Sequence, residues 1–316
     1  MTEMIGKWVV LLGVIVAGIY GIVKIQQIES KVTQIARPAR LFHPSTIESR
    51  FEPRSEWEVE LSPFHDRFFY VVSQQPLYWL GRGMQVLVFV TQDQKYVVKF
   101  FQLNRLRTPS SRGFFRDLFA KETKEKQQSR IRHREEIFSS SKICFEELQD
   151  ETGIVYVHLN RTRDKIKGVK LIDRYGQSHR IRGDHASFVV QKRADYVIPT
   201  LTKLVEAGQL EEAKSRIQQI FDLLLTLAQK GFVDGDDALV RNNNVGFTDD
   251  RAIYIDTGHL FRVDNLDILA RMKYEFTVRL EPLESWLQVL YPELASFYVQ
   301  QKEQVLAQLE STQEVA

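Results

Sequence analysis

The chain has 316 residues, of which 43% are hydrophobic and 27% charged, and a formal net charge of +2. These values exclude a disordered, collagen-like or polytopic membrane protein, and near-neutrality leaves no global field that would draw it to nucleic acid. A single cysteine, Cys144, excludes an intrachain disulfide and a multi-cysteine metal site, and fits a reducing compartment. The length suits two domains or one large two-lobed one.

At the amino end, Trp8 to Val23 (WVVLLGVIVAGIYGIV) carries no charge and is flanked by Lys7 and Lys24. As helix its 16 residues span ~24 Å. Met4, Ile5 and Ile25 extend the run, and the flanking lysines can snorkel toward a bilayer surface. The segment reads as an uncleaved membrane anchor, because Ile15-Val16-Ala17 is a poor signal-peptidase site. Lys24, Lys31, Arg37 and Arg40 follow the segment against Lys7 before it, which orients the body toward the cytoplasm. Gln26–Ile35 continues as a stalk that Pro38 ends.

Strand signals begin near Leu77. LYWLGRGMQVLVFV and KYVVKFFQL are rich in β-branched and aromatic residues, with a hairpin turn at Thr91–Lys95. Residues 103–150 are charged and helical in pattern. Further strands are expected at Gly153–Asn160, Gly168–Arg174, Ser178–Ile181 and Ala186–Gln191, with a turn at Tyr175-Gly176. The back half is mostly helical. Leu210–Lys230 gathers Ala213, Ile217, Ile220, Phe221, Leu224, Leu225 and Leu227 on one face, and Gly231 ends it. A strand-turn-strand stretch spans Asn244–Asp256, and helical patterns cover Leu266–Leu290 and Pro292–Glu310. A β-rich front feeding a helical back is an α+β, two-lobed layout.

Several stretches carry chemistry. Gly81-Arg82-Gly83 between two strands lets backbone N–H groups approach a phosphate chain. In Tyr96–Phe100, Lys99 alternates with Val98 and Phe100, so its ammonium faces the opposite side of the strand, under that glycine turn. After the long helix come Asp234, Asp236 and Asp237, then Asn242-Asn243-Asn244, then Ile255-Asp256-Thr257-Gly258. Asp236 can orient a hydroxyl nucleophile, and Asn244 and Asp256 supply the oxygen ligands that Mg²⁺ demands.

In this order the pieces resemble the protein-kinase-like superfamily, in particular aminoglycoside phosphotransferases and lipopolysaccharide kinases. Leu80-Gly81-x-Gly83 with Val86 looks like the glycine loop, and Val97-Val98-Lys99 like the Ala-x-Lys strand. Ala186–Gln191 leading to Arg193 resembles the hinge whose backbone meets adenine. Gly231–Asp236 is similar to the G-I-V-H-G-D opening, Asn244-Val245-Gly246 to N-I-L, and Ile255–Gly258 to D-F-G. The resemblance covers about residues 70–290 and implies ATP and Mg²⁺ as cofactors. It assigns Lys99, Gly81, Gly83, Val86, Gln191 and Arg193 to nucleotide, Asn244 and Asp256 to metal, and Asp236 to the acceptor hydroxyl. Glu135 is the chosen partner for Lys99, since it shares a helical face with Ile131, Phe138 and Phe145; Glu136, Glu146 and Glu147 are the alternatives.

The departures matter. The third loop glycine is absent, Asp234 stands where the family has His, and Thr257 where it has Phe. Asp236 to Asn244 is a spacing of eight, while the Asp237–Asn242 pair has the family's five, and Asn243 is a further candidate ligand. Sixty residues follow Asp256, with no APE-like motif, which leaves little room to dock a protein substrate. The expected layout is an anchor and stalk over 1–40, a nucleotide-binding lobe over 41–191 and a helical lobe over 192–316. The expected function is a membrane-anchored ATP-dependent phosphotransferase acting on a hydroxyl of a small molecule, glycan or lipid. A non-catalytic pseudokinase serving as a membrane-tethered scaffold is the alternative. From Arg105 to Arg134 ten basic residues face three acidic ones, with Phe114, Phe115 and Phe119 interleaved, which suits adsorption to anionic lipid; nucleic acid is not an expected partner. None of the seven histidines forms an H-x-x-x-H or H-E-x-x-H pattern, and no G-x-S-x-G elbow is present. A reporter fused at Ala316 should be active in a cytoplasmic assay. Periplasmic activity, or a mature chain beginning near Gly18, would reverse the orientation.

Overall fold

The computed structural model describes residues 42–48, 52–102, 124–166, 168–235, 239–240 and 243–315. Residues Pro44–Ala316 form one compact unit, which holds every element named below. The apolar segment 8–23 and most of the basic run 105–134 lie outside the described residues. Among the described residues no helix is long and apolar enough to cross a membrane.

A seven-stranded mixed sheet dominates the first half. Its strands are β1 (Leu77–Arg82), β2 (Val86–Thr91), β3 (Tyr96–Phe101), β4 (Ile154–His158), β5 (Gly168–Ile172), β6 (Ser178–Arg182) and β7 (Phe188–Lys192), in the order β4-β7-β3-β2-β1-β5-β6. Neighbours are antiparallel except β1 and β5, which run parallel. Successive residues of a strand point to opposite faces of the sheet. Val98 and Phe100 are fully buried on one face, and Lys99 is half-buried on the other.

Helix α1 (Pro63–Gln74) covers the first face. Pro63 opens it, and Ser62 and His65 cap each other's backbone reciprocally. Phe69 on this helix stacks on Tyr156 at 4.5 Å and packs against Phe188 at 4.9 Å. Helix α2 (Lys124–Glu147) packs near the other face, where Phe138 lies between Trp57 (4.9 Å) and Phe101 (5.1 Å). A short turn of helix, α3 (Gln149–Thr152), leads into β4.

After β7 the chain crosses to the helical half through β8 (Asp195–Tyr196) and α4 (Val197–Glu206). Helix α5 (Leu210–Gln229) buries Ala213, Ile217, Ile220, Phe221, Leu224 and Leu227, as its periodicity predicts; Leu223 is buried as well, and Leu225 only partly. Gly231, with φ +77°, ends this stretch in the left-handed region. Strands β9 (Phe232–Asp234), β10 (Val245–Phe247), β11 (Ala252–Tyr254) and β12 (Leu260–Arg262) then form two small sheets, β11-β10-β8 and β12-β9.

The helical pattern expected over Leu266–Leu290 is broken into α6 (Ile268–Tyr274), a π turn (Glu275–Arg279) and α7 (Glu281–Leu290). Pro282 can stand only in a first turn, so it forces a new start. Helix α8 (Pro292–Val315) closes the fold, and Tyr298 on it meets Phe221 at 5.0 Å. The result is an α+β architecture built on a large mixed sheet.

The π turn brings Arg279 fully inside. Its guanidinium meets Asp234 at 2.5 Å, both oxygens of Glu275 at 2.8 and 3.0 Å, and the Tyr254 hydroxyl at 2.6 Å. The Tyr254 hydroxyl donates in turn to Asp234 at 2.8 Å. Burial opposes Arg279's charge, but Tyr254, Glu275 and Asp234 more than offset it and hold its pKa above the ordinary value. Arg279→Met takes the buried cation away from Asp234, while Glu275 keeps its pair with Arg271, and should cost ~3–5 kcal/mol. For a unit of this size that is a fall of roughly 10 °C in Tm, readable by calorimetry.

Candidate functional site

A cleft of about 830 Å³ opens beneath the Lys99 face of the large sheet. Stretches far apart in the sequence line it: the β1–β2 hairpin, β3, α2, β7 with the crossing segment after it, and the residues before β10 and after β11. Its apolar wall comes from Val86, Val88, Val97 and Val189, and its polar end from Lys99, Asn243, Asn244 and Asp256. The volume and the mixed lining are those of a small-molecule site.

The glycine turn is held from inside. Gly83 donates its N–H to the Val86 carbonyl at 2.9 Å. Gln102, fully buried just after β3, donates its side-chain amide toward the carbonyls of Gly83 (3.0 Å), Val86 (3.2 Å) and Met84 (3.4 Å). Its own amide oxygen accepts from Arg82 at 2.7 Å. Neither Gly81 nor Gly83 has a positive φ, so the backbone conformation does not demand glycine there; at Gly81 a Cβ would enter open space. What the glycines leave is an uncluttered rim above the cleft. At the tip of the turn, Gln85 bonds the His133 ring on α2 at 2.9 Å and lies against Gly258.

Lys99 reaches across the cleft and donates to the Ile255 carbonyl at 2.5 Å. Burial lowers its pKa from the ordinary value, and the Asp256 carboxylate opposes that shift. Glu135 does not pair with it. Glu135 accepts from Arg54 at 2.9 Å, and Lys99 makes no ion pair with any described residue. The helical phase explains the correction. Phe138 belongs to a face that packs on Trp57, and the guanidiniums of Arg54 and Arg134 sit over that indole at 4.9 and 5.1 Å. That contact, and not the cleft, is what Glu135 lies beside. The cleft side of α2 presents Ile137 and Ser141. Cys144 is buried close by, its thiol pushed up to about 12 by burial, so it stays protonated and inert.

The metal-ligand candidates are brought together only in part. Asn244 is buried, with its N–H on the Leu239 carbonyl (2.9 Å) and its carbonyl accepting from Ile255 (2.6 Å). Asp256 is exposed, and one of its oxygens accepts from the Gly258 N–H at 3.3 Å. Thr257 is buried, and its carbonyl accepts the Ser140 hydroxyl, which ties this turn to α2. Asn243 is exposed with φ +56°. Asp236, Asp237 and Asn242 lie outside the described residues. No group of three or more His, Cys, Asp or Glu among the described residues could hold a metal by itself. Two oxygen donors fit only an ion that completes its shell with phosphate and water, as Mg²⁺ does.

The crossing segment departs from expectation. The Gln191 side chain is buried and donates to the carbonyls of Thr152 (2.6 Å) and Tyr254 (2.8 Å). Arg193 gives its N–H to the Lys95 carbonyl at 2.9 Å and its guanidinium to Gln94. Its backbone N–H is therefore already engaged within the chain, and Ala194, Asp195 and Tyr196 line the cleft beside it. Gln102 is a residue that sequence reasoning misses, because a glutamine after a strand carries no signal until the turn folds around it.

No family model and no characterised protein sequence matches the chain. Among solved structures, a medium-resolution structure of the bifunctional kinase-methyltransferase WbdD aligns at 15% identity over 71% of this chain and 47% of that one, with a TM-score of 0.33. A crystal structure of monomeric WbdD aligns at 17% identity over 68% and 44%, also with a TM-score of 0.33. The chain thus spans less than half the length of either WbdD chain, and a likeness this slight carries no argument about activity.

Replacing Gln102 with leucine keeps the volume but strands the loop carbonyls. Stability should fall by ~1–3 kcal/mol, and amide exchange at Gly83 should accelerate more than in α5. Unchanged exchange at Gly83 would show that the turn holds itself.

Proposed function

We propose that the cleft binds ATP with Mg²⁺ and that the chain is a protein-kinase-like phosphotransferase acting on a hydroxyl of a small molecule, glycan or lipid. One observation carries the reading. Residues far apart in sequence, the Gly81–Gly83 turn, Lys99, Asn244 and Asp256, line one cleft. The valines of the sheet would hold a flat base, with Ala194 and Asp195 at its edge. Lys99 would bind phosphate directly, since a desolvated ammonium gains more from a polyanion than a hydrated one does. Asn244 and Asp256 would hold the ion, which when bound bridges phosphate oxygens and neutralises their charge. Asp236 would orient the acceptor hydroxyl, and the 8–23 segment would tether the protein to its membrane.

One observation favours the second reading, a non-catalytic pseudokinase. Lys99 takes a backbone carbonyl where an active enzyme of this kind would offer it a glutamate. A nucleotide held without that ion pair would be less well aligned for transfer.

The two readings part on turnover. ATP with Mg²⁺ at about a hundred times its Kd should stabilise the protein by ~2.7 kcal/mol. Lys99→Met should remove that shift with or without metal, and Asp256→Asn its Mg²⁺-dependent part. Asp236→Asn should keep binding and lose turnover alone. Binding without any turnover in the wild type selects the pseudokinase, and no binding at all overturns both readings.

A further inference from the structure

The segment from Arg161 to His185 carries eight lysines and arginines against three aspartates. It contains the β5–β6 hairpin, which extends the large sheet beyond β1. The register sets Lys170 opposite Arg180 and Gly168 opposite Arg182, so Lys170, Arg180 and Arg182 share one face. Like charges directly opposed across two strands repel and weaken the hairpin. Among the described residues none of these three cations forms an ion pair; the pairs made by this segment are Lys165–Asp66 and His179–Asp173.

Two more arginines reach the same place from the loop after β4. Arg161, Arg163 and Arg182 line a pocket of about 600 Å³ together with Gly168 and His185. Arg161's Nε is buried without a hydrogen-bond partner. The Arg180 side chain lies against Gly168, one of the pocket-lining residues, in a position that a Cβ there would block. Three carboxylates also line the pocket: Glu52, Asp164 and Asp184. Asp184 is spent on the loop itself, accepting the Thr162 hydroxyl and the N–H groups of Lys165 (3.1 Å) and Ile166 (3.0 Å). Glu52 and Asp164 are exposed, and neither pairs with an arginine. No lining residue is shared with the cleft under Lys99.

We propose that this pocket is a second, separate site that binds a phosphate monoester, carried by a soluble compound or by a lipid headgroup. Guanidinium forks match phosphate oxygens in pairs. A phosphate monoester brings a charge of about −1.5 to −2, enough to neutralise more than one arginine, where a carboxylate brings only one. The pocket is larger than a phosphate alone, which leaves room for the organic group that bears it.

The full chain is titrated with inorganic phosphate and with glycerol 3-phosphate by calorimetry. Arg163→Gln/Arg182→Gln, at two exposed positions that leave the core untouched, should weaken binding about tenfold or more per arginine. Lys99→Met should leave this binding in place. A flotation arm compares phosphatidylcholine vesicles with vesicles that also contain phosphatidic acid. Recruitment by phosphatidic acid that the double variant loses assigns the site to a lipid headgroup, and calorimetric binding without such recruitment assigns it to a soluble phosphate. The proposal is overturned if the wild type shows no saturable binding or the double variant binds as the wild type does. Loss in Lys99→Met with retention in the double variant also overturns it, because the phosphate then sits in the cleft.

Discussion

A buried arginine anchors the strand end that leads into the cleft. Arg279 has 1% of its side chain exposed, yet it carries a full charge, and that is tolerable only because Asp234, Glu275 and Tyr254 close around it. Each partner comes from a different element: the end of β9, the π turn and the end of β11. The three cannot move apart without leaving charge unpaired in a low-dielectric interior. Burial keeps Tyr254 a neutral phenol, its pKa far above the ordinary value, so it can donate to Asp234 and accept from Arg279 at once. Arg271 adds a second cation to Glu275 at 2.6 Å, which balances the local charge.

The two halves of the fold are joined through the backbone that follows this cluster. The Tyr254 carbonyl accepts from Gln191, and the Ile255 carbonyl accepts from Lys99. Both donors come from strands of the large sheet. The position of Asp256 is therefore set from both sides, by Arg279 through Tyr254 below and by the sheet above. Gly246 on β10 is part of the same closure, since a Cβ there would lie 2.6 Å from the Asp195 carbonyl oxygen and 2.7 Å from Ile255. Only a residue without a side chain lets β8, β10 and the Ile255 turn approach so closely.

Much of this is legible in the sequence where one local rule governs. Alternation in Tyr96–Phe101 sends Lys99 to the face opposite Val98 and Phe100, and the fold keeps it there. The apolar period of Leu210–Gln229 likewise gives the buried face of α5. Periodicity misplaces Glu135 because α2 has two apolar contacts, one toward the sheet and one toward Trp57, and the period alone cannot say which faces the cleft. The Asp234–Arg279 pair spans 45 residues and crosses four elements, so no spacing rule reaches it. The parallel addition of β5 to β1 is hidden for the same reason: strand propensity predicts the strands but not their neighbours.

Gln85 ties the tip of the glycine turn to His133 on α2, 48 residues along the chain. A molecule entering beneath the turn must fit under this amide–imidazole bridge or break it. If it breaks the bridge, arrival and departure each wait on an opening step, and exchange becomes slower than the cleft's open mouth suggests. Among the described residues, the same break would leave His133 with only its neighbours Glu136 and His259. Filling the cleft would then alter α2 at two places, at His133 by the lost bridge and at Ile137 and Ser141 by direct contact.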